Sequence, residues 1–258
     1  MKKIILSTVA LSVLAAAGTT ANAGDVSVSV STDYVSEYVF RGVSFSNTAV
    51  QPGIEVSKGG FTVGAWASVA VGETSALAGD EIDIYGGYGW NITEALSASV
   101  GATLYHFPQS GGLFNLDSEE LGSTFEINGG LAYDSLLSPS LTGYYDFTLE
   151  AFTLEGSVSH SVPVVDKTSL DFGVTGGLVA VDGSGDYEWA TGSAAVSYAI
   201  TDAASFYVGA NFTVNSEDSL DFVTFGDFEG LTLDEIDNLP LTSDDTLFWV
   251  GTGISTSF

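Results

Sequence analysis

Twelve segments of the chain alternate apolar and polar residues with a period of two. Such alternation is typical of β-strands whose two faces meet different surroundings. The last segment shows it clearly, because Phe248, Val250 and Ile254 share one parity while Trp249 and Gly251 take the other. The predicted strands cover residues 25–40, 50–57, 61–71, 81–90, 95–107, 124–134, 141–148, 151–162, 169–181, 187–200, 205–214 and 246–258. The pattern therefore predicts an all-β chain.

The lengths of these segments and of their connections favour a membrane barrel over a secreted β-sandwich. Segments of about ten residues suit a tilted crossing of a bilayer, whereas sandwich strands are about 5–6 residues long. Connections after even-numbered segments are short, while those after odd-numbered segments include residues 108–123 and 215–245. Short periplasmic turns, longer extracellular loops and an even strand count are typical of single-chain bacterial barrels. We therefore predict a closed antiparallel transmembrane β-barrel of twelve strands.

The start of the chain has the features of a Sec-type signal peptide. Two lysines precede an apolar stretch that is too short to span a bilayer, and residues 21–23 read Ala-Asn-Ala. We expect cleavage after Ala23. This assigns residues 1–23 to a cleaved signal peptide and residues 24–258 to the barrel domain, with the outer membrane as its location.

Aromatic residues at the short-turn ends of the apolar faces resemble the interfacial girdle of membrane barrels. They are Phe61, Trp90, Tyr133, Tyr198, Phe206 and Phe258. A final aromatic residue is also the signal that the barrel-assembly machinery reads in such proteins. We therefore expect Phe258 to act as the assembly signal, and the expected partners are this machinery and the lipid and lipopolysaccharide of the outer membrane.

The chain has few charged residues, and most of them are acidic. It has 5 Lys and Arg against 33 Asp and Glu, for a formal net charge of −28, which excludes nucleic acid as a partner. Charged residues make up 15% of the chain, against about 25% in an average soluble domain, so a large surface is expected not to face water. The chain has no cysteine, which excludes a disulfide scaffold. The acidity is equally consistent with a role in transport and with a saline habitat.

One stretch reads Asp33-Tyr-Val-Ser-Glu-Tyr-Val-Phe-Arg-Gly-Val-Ser44, and further characteristic stretches follow at residues 49–53, 60–66, 81–88 and 105–108. Together they resemble the TorF-type porin family. The chain departs from the family pattern at Phe45, where the family usually carries Gln. The resemblance covers residues 33–108 and implies an outer-membrane barrel with a porin-like role.

Charged and bulky residues on the parity assigned to the lumen are the candidate constriction residues. They are Arg41 with the nearby Glu37, the carboxylates Glu55, Glu81, Asp83, Glu126, Asp146, Glu155 and Asp171, and Trp66, with Tyr85, Trp189 and Tyr207 as further bulky side chains. Arg41 could face carboxylates and set a field that selects solutes, or form a structural ion pair that fixes the first loop against the wall; we favour the ion pair. The acids either favour cations in a water-filled path or lie at the rims as solvated charges.

No motif predicts catalysis, a cofactor or a metal site. Neither of the two histidines, His106 and His160, belongs to a recognisable catalytic triad. Ser110 lies within reach of His106, but no third partner is evident. Residues 215–245 hold ten acids without the spacing of a calcium loop, so a solvated acidic lid is expected there. We predict a narrow porin-like channel for small cationic or neutral solutes. The alternative is a non-conducting barrel with a structural or surface-interaction role, and the sequence does not indicate the oligomeric state.

Overall fold

The computed structural model describes residues 26–71, 80–117, 122–182, 186–216 and 245–258. Within these ranges the chain forms fourteen strands. They are β1 (Val26–Val35), β2 (Tyr38–Phe40), β3 (Val43–Ser46), β4 (Ala49–Lys58), β5 (Phe61–Ala70), β6 (Glu81–Asn91), β7 (Leu96–His106), β8 (Ser123–Tyr133), β9 (Ser140–Asp146), β10 (Ala151–Val165), β11 (Thr168–Val181), β12 (Tyr187–Ala199), β13 (Ala204–Asn215) and β14 (Thr246–Ser257). The described part of the chain contains no helix long and apolar enough to cross a membrane. The predicted signal peptide lies outside the described residues.

Twelve of these strands close into one antiparallel barrel. The order around the barrel is β1-β14-β13-β12-β11-β10-β9-β8-β7-β6-β5-β4, and β4 pairs again with β1. At the closure, the amide of Val28 donates to the carbonyl of Phe258 at 3.1 Å, and the amide of Phe258 donates to the carbonyl of Val28 at 2.9 Å. A closed barrel leaves no strand edge with unpaired backbone groups. The predicted closed barrel of twelve strands is confirmed.

The barrel has a polar interior and an apolar exterior. On β13, Phe206, Val208 and Phe212 are exposed on the outside, while Tyr207 and Thr213 on the alternate positions point inward. The same arrangement recurs on the other long strands, and the largest fully buried side chains include polar residues such as Gln51, Glu126, Thr103, Thr153, Thr213 and Asp83. The period of two in the sequence therefore separates an inner polar surface from an outer apolar one.

One rim of the barrel carries the tight turns. Three of these turns contain a residue with a positive φ angle, namely Gly59 at 61°, Ser138 at 40° and Lys167 at 61°. Outward aromatic side chains cluster near this rim, where the Phe61 and Tyr88 ring centroids are 4.6 Å apart. The acidic lid predicted within residues 215–245 lies almost entirely outside the described residues.

The first predicted strand is wrong at its outer end. We predicted one strand over residues 25–40, but β1 ends at Val35, and residues 38–40 form the separate strand β2, which pairs with β3. Arg41 and Gly42 connect β2 to β3 with φ angles of 48° and 81°, a backbone geometry that matches a two-residue hairpin turn. Tyr38 shares the parity of the outward residues Val28, Val30 and Tyr34, so parity alone did not show where the strand leaves the wall.

The seventh predicted strand ends earlier than expected. We predicted residues 141–148, whereas β9 ends at Asp146. The Asp146 carboxylate accepts hydrogen bonds from the amides of Thr148 and Leu149, both at 2.8 Å. A carboxylate that binds the amides two and three residues later stabilises a turn, so the chain reverses here instead of extending.

Candidate functional site

The hairpin of β2 and β3, residues Tyr38–Ser46, lies inside the barrel and is called the inner hairpin below. Its first half packs against one side of the wall. The Tyr38 ring centroid is 5.5 Å from that of Trp66 on β5, and the Phe40 ring centroid is 5.9 Å from that of Tyr105 on β7. Both contacts are made with inward-facing side chains of β5 and β7, which lie on one side of the barrel.

The second half of the inner hairpin packs against a different side of the wall. Val43 is buried in a cluster with Val179 on β11 and Trp189 on β12. The side-chain amide of Asn215 at the end of β13 donates to the carbonyl of Gly42 at 2.7 Å. In the barrel order, β11 to β13 are separated from β5 and β7 by at least three strands in either direction. The inner hairpin therefore crosses the interior from one wall to another.

The turn of the inner hairpin is fixed by an ion pair. Arg41 donates through Nη1 to Oε2 of Glu126 at 2.8 Å and through Nη2 to Oε1 at 3.0 Å, and the Tyr105 hydroxyl donates to Oε1 at 2.9 Å. The guanidinium carbon lies 4.6 Å from the centroid of the Phe40 ring and 4.5 Å from that of Tyr144. Bidentate geometry and two aromatic faces are the contacts that a buried guanidinium prefers.

Arg41 remains a cation in this environment. Burial by itself lowers the pKa of Arg41, but the Glu126 carboxylate more than offsets this, so the pKa lies above its ordinary value. The side chains of Arg41 and Glu126 are 11% and 2% exposed. The pair is therefore charged and almost fully removed from bulk solvent.

The partner of Arg41 differs from the nearby acid suggested by the sequence. Glu37 shares the parity of Arg41 in an extended chain, but it lies in the bend before β2, and no hydrogen bond or ion pair joins it to another described residue. Because β1 ends at Val35, parity no longer relates positions 37 and 41. The carboxylate that Arg41 meets is Glu126, 85 positions away.

Glu81 and Asp83 form a buried carboxylate pair beneath the inner hairpin. They occupy successive inward positions of β6 and are 2% and 1% exposed, so the two carboxylates are neighbours on the same face of the strand. The Tyr38 hydroxyl lies next to Glu81. Burial and the two carboxylates raise the pKa of Tyr38 well above its ordinary value, so the hydroxyl keeps its proton. Both carboxylate oxygens of Asp83 and one of Glu81 have no hydrogen-bond donor in the described structure.

The remaining predicted lumen acids also point inward, and each accepts a hydrogen bond. The contacts are Tyr85 to Glu55 at 3.3 Å, Tyr144 to Glu155 at 3.3 Å, Ser169 to Asp171 at 3.1 Å, and the two backbone amides to Asp146 described above. Trp66 points inward against Tyr38. Tyrosine hydroxyls are thus recurrent donors to the inward carboxylates.

Sequence reasoning missed Asp33, Tyr38 and Tyr105 as members of this interior. Asp33 faces inward on β1 and accepts a hydrogen bond from Tyr207 at 2.7 Å. Its parity, shared with Ser29 and Ser31, was the signal that could have placed it. Tyr38 had no such signal, since its position depends on the fold of the inner hairpin.

Basic groups are scarce around these acids. Lys58, the last residue of β4, and Lys167, in a tight turn, are the other two basic residues in the described ranges, and both are exposed at the rim opposite the inner hairpin. The inward acids are Asp33, Glu55, Glu81, Asp83, Glu126, Asp146, Glu155 and Asp171. The interior is therefore strongly acidic, with Arg41 as its cation.

Neither a metal cluster nor a catalytic triad is found in the described ranges. They contain no group of three or more His, Cys, Asp or Glu side chains arranged to hold a metal ion. His106 Nδ1 lies 2.9 Å from the carbonyl of Gly122 and 3.0 Å from Oγ of Ser123, so its serine neighbour is Ser123 and not Ser110. Ser123 is completely buried and donates to backbone carbonyls.

Solved outer-membrane channels share this architecture. The KdgM porin in complex with disordered oligogalacturonate matches with a TM-score of 0.53 and 11% identity, over 90% of this chain and 99% of that chain. The NanC porin matches with a TM-score of 0.50 and 12% identity, over 89% of this chain and 98% of that chain. An outer-membrane channel from Pseudomonas putida F1 matches with a TM-score of 0.50 and 10% identity, over 91% and 96%. At these identities the likeness shows the barrel fold alone.

A family model covers most of the sequence. No curated protein matches the chain. The model described as a bacterial protein of unknown function, Gcw_chp, matches residues 18–215, which include the inner hairpin and every barrel strand except β14. The chain therefore belongs to the Gcw_chp family of bacterial proteins.

Proposed function

We propose that the protein is a porin-like channel of the bacterial outer membrane, through which small cationic or neutral solutes diffuse past the inner hairpin. The observation that carries this proposal is a closed barrel with an apolar outside and an acidic, polar inside. Structures described as the KdgM and NanC porins share the twelve-stranded fold and agree with it. The TorF-type resemblance remains a prediction that points in the same direction.

The outer surface supports a membrane location. Large apolar side chains cover it from rim to rim, and Phe61 and Phe258 near the tight turns are 67% and 78% exposed. In water such a continuous apolar surface would be a severe aggregation liability, whereas hydrocarbon solvates it. Aromatic residues at one rim fit the interface between headgroups and acyl chains. The signal peptide and the contacts with lipid, lipopolysaccharide and the assembly machinery belong to this proposal.

The interior charges support a preference for cations. The described interior holds eight inward carboxylates and one cation, Arg41, which one of the eight, Glu126, neutralises. A narrow, poorly screened passage lined by one sign of charge concentrates ions of the other sign. A solute that carries a positive charge would thus enter more readily than an anion of the same size.

One observation favours the alternative of a non-conducting barrel. The inner hairpin crosses the interior and is held at both walls, by Trp66 and Tyr105 on one side and by Trp189 and Asn215 on the other. Twelve strands give an interior between a barrel filled by side chains and an open porin. If the hairpin leaves no continuous water path, the barrel has a structural or surface-interaction role.

Conductance in planar lipid bilayers tests the proposal. The folded protein should give discrete conductance steps, and a salt gradient should give a reversal potential with the sign of cation permeation. As a control, a variant in which residues 38–46 are replaced by a short Gly-Ser linker should conduct more. Folded wild-type protein that stays silent, together with a conducting linker variant, would identify a plugged barrel and contradict the channel.

A further inference from the structure

We propose that Glu81 and Asp83, beneath Tyr38 of the inner hairpin, hold a hard metal cation such as Ca²⁺ inside the barrel. This inference goes beyond the channel proposed above and does not require conduction. It starts from the side chains of β6, where the two acids occupy successive inward positions and are almost completely buried.

The first step is the charge of the pair. Glu81 and Asp83 are neighbours on the inward face of β6, and three of their four carboxylate oxygens have no hydrogen-bond partner among the described residues. Two buried neighbouring carboxylates repel each other, and neither is stable as an anion without a positive charge nearby. The pair therefore requires a cation or a shared proton.

The second step is that the described chain supplies no cation for this pair. Arg41 uses both terminal nitrogens of its guanidinium on Glu126. Lys58 and Lys167 are exposed at the other rim. A positive charge at Glu81 and Asp83 therefore has to come from solution.

The third step concerns a buried neutral oxygen, and this observation is independent of the two acids. Gln51 on β4 is 1% exposed, and its Nε2 donates to Oγ of Ser68 at 3.2 Å. Its Oε1 has no hydrogen-bond donor. Ser68 is in turn the register partner of Glu81 on the neighbouring strand. An unpartnered amide oxygen thus lies in the same inward row as the carboxylate pair.

This set of atoms matches the chemistry of a hard cation. Ca²⁺ binds carboxylate, amide carbonyl and hydroxyl oxygens, and water completes its coordination. Two carboxylates from Glu81 and Asp83, with neutral oxygens from Gln51, Ser68 and Tyr38, supply these donor types. Nitrogen and sulfur ligands, which transition metals favour, are missing from the set.

The site also links the cation to the inner hairpin. Tyr38 of the hairpin lies next to Glu81 and packs its ring 5.5 Å from that of Trp66 on the wall. A cation bound at the pair would hold the two carboxylates in place beside the Tyr38 hydroxyl. Occupancy should therefore stabilise the inward position of the hairpin.

Terbium luminescence tests the site, because Tb³⁺ replaces Ca²⁺ and is excited through nearby aromatic rings such as Trp66 and Tyr38. The full mature chain is refolded in detergent with EDTA, dialysed, and titrated with Tb³⁺. We expect a saturable component of one ion per chain that Ca²⁺ displaces. Glu81→Gln with Asp83→Asn should weaken this component at least tenfold, while the control Glu55→Gln with Asp171→Asn, which also removes two inward charges, should retain it.

Two outcomes would overturn the proposal. Equal Tb³⁺ binding by the wild type and the Glu81/Asp83 variant would place the ions on acids elsewhere in the chain. No saturable binding by the wild type would mean that the pair shares a proton. Folding of each variant is checked by the change in gel mobility on boiling. If the double variant does not fold, the single variant Asp83→Asn is titrated in its place. The Tb³⁺ titration does not depend on whether the protein conducts in a bilayer. Failure of the channel proposal and failure of the cation-site proposal are therefore distinguishable.

Discussion

Arg41 and Glu126 are 85 positions apart in the chain and are joined inside the barrel by two hydrogen bonds of 2.8 and 3.0 Å. The arginine comes from the turn of the inner hairpin, and the glutamate comes from the wall strand β8. This pair fixes the hairpin to the wall inside the barrel. Weakening this pair is therefore expected to change both the stability of the protein and its conductance.

Glu126→Gln should weaken the position of the inner hairpin. The change leaves the Arg41 guanidinium buried without a carboxylate, and loss of one partner of a buried ion pair costs about 3 kcal/mol. We expect a lower free energy of unfolding in urea and a larger single-channel conductance. Asp171→Asn is the matched control, because its partner Ser169 is neutral. A stability loss with unchanged conductance would show that aromatic contacts alone hold the hairpin.

Gly42→Ala should displace the turn of the inner hairpin. A Cβ at Gly42 would lie 2.6 Å from Cβ of Trp189, closer than such atoms approach in proteins, and the φ angle of 81° adds strain. Gly59→Ala is the control, since its φ angle is 61° and a Cβ there meets no atom within 4 Å. Both variants should lose about 1–2 kcal/mol from the left-handed backbone. Only Gly42→Ala should lose more in urea unfolding and change the conductance. Identical behaviour of the two variants would argue against close packing at Trp189.

Removal of inward acids should reduce cation selectivity. Glu55→Gln with Glu155→Gln removes two carboxylates that tyrosines bind inside the barrel. We expect the ratio of cation to anion permeability, taken from the reversal potential in a salt gradient, to fall about twofold or more. Glu94→Gln with Asp202→Asn removes the same charge from exposed turns and should change this ratio much less. A larger effect from the turn variant would place selectivity at the rim.

A lysine on the outer face should destabilise the protein in lipid. Val208 on β13 faces outward and is exposed, and a basic residue near the bilayer midplane costs about 2–4 kcal/mol. We expect Val208→Lys to lower the free energy of unfolding from lipid vesicles by this amount. Asn211→Lys, on the inward face of the same strand, should cost clearly less. Equal costs for the two variants would contradict an outer face solvated by hydrocarbon.

Phe258→Ala should impair assembly into the outer membrane without impairing folding in detergent. The backbone hydrogen bonds between Val28 and Phe258 do not need the aromatic side chain, so the refolded barrel should keep its stability in detergent. In cells, we expect the variant to reach the outer membrane several-fold less than the wild type, as measured in membrane fractions. Phe61→Ala, another aromatic residue at the same rim, is the control. Unimpaired assembly of Phe258→Ala would show that the terminal side chain is not the assembly signal.

Much of the barrel could be predicted from the sequence for a local physical reason. Side chains of a strand point to alternate faces, so the face of Glu55, Glu126 or Asp171 follows from its parity once the strand is recognised. The strand count followed from the same alternation together with turn residues such as Gly59. These features depend on residues close together in the chain.

The interior contacts could not be predicted in this way. Tyr34 and Tyr38 share one parity, so parity did not show that β1 ends at Val35 and that the chain then turns inward. The partners of Arg41 and Tyr38 come from β8 and β6, and the hydroxyl bound to Asp33 comes from β13. Within the wall strands, the sequence by itself determined which residues face the lumen and which face outward, because that depends on local backbone geometry. Only the tertiary structure decided what crosses the lumen and which charges meet there, because closing the barrel brings together side chains that are far apart in the chain.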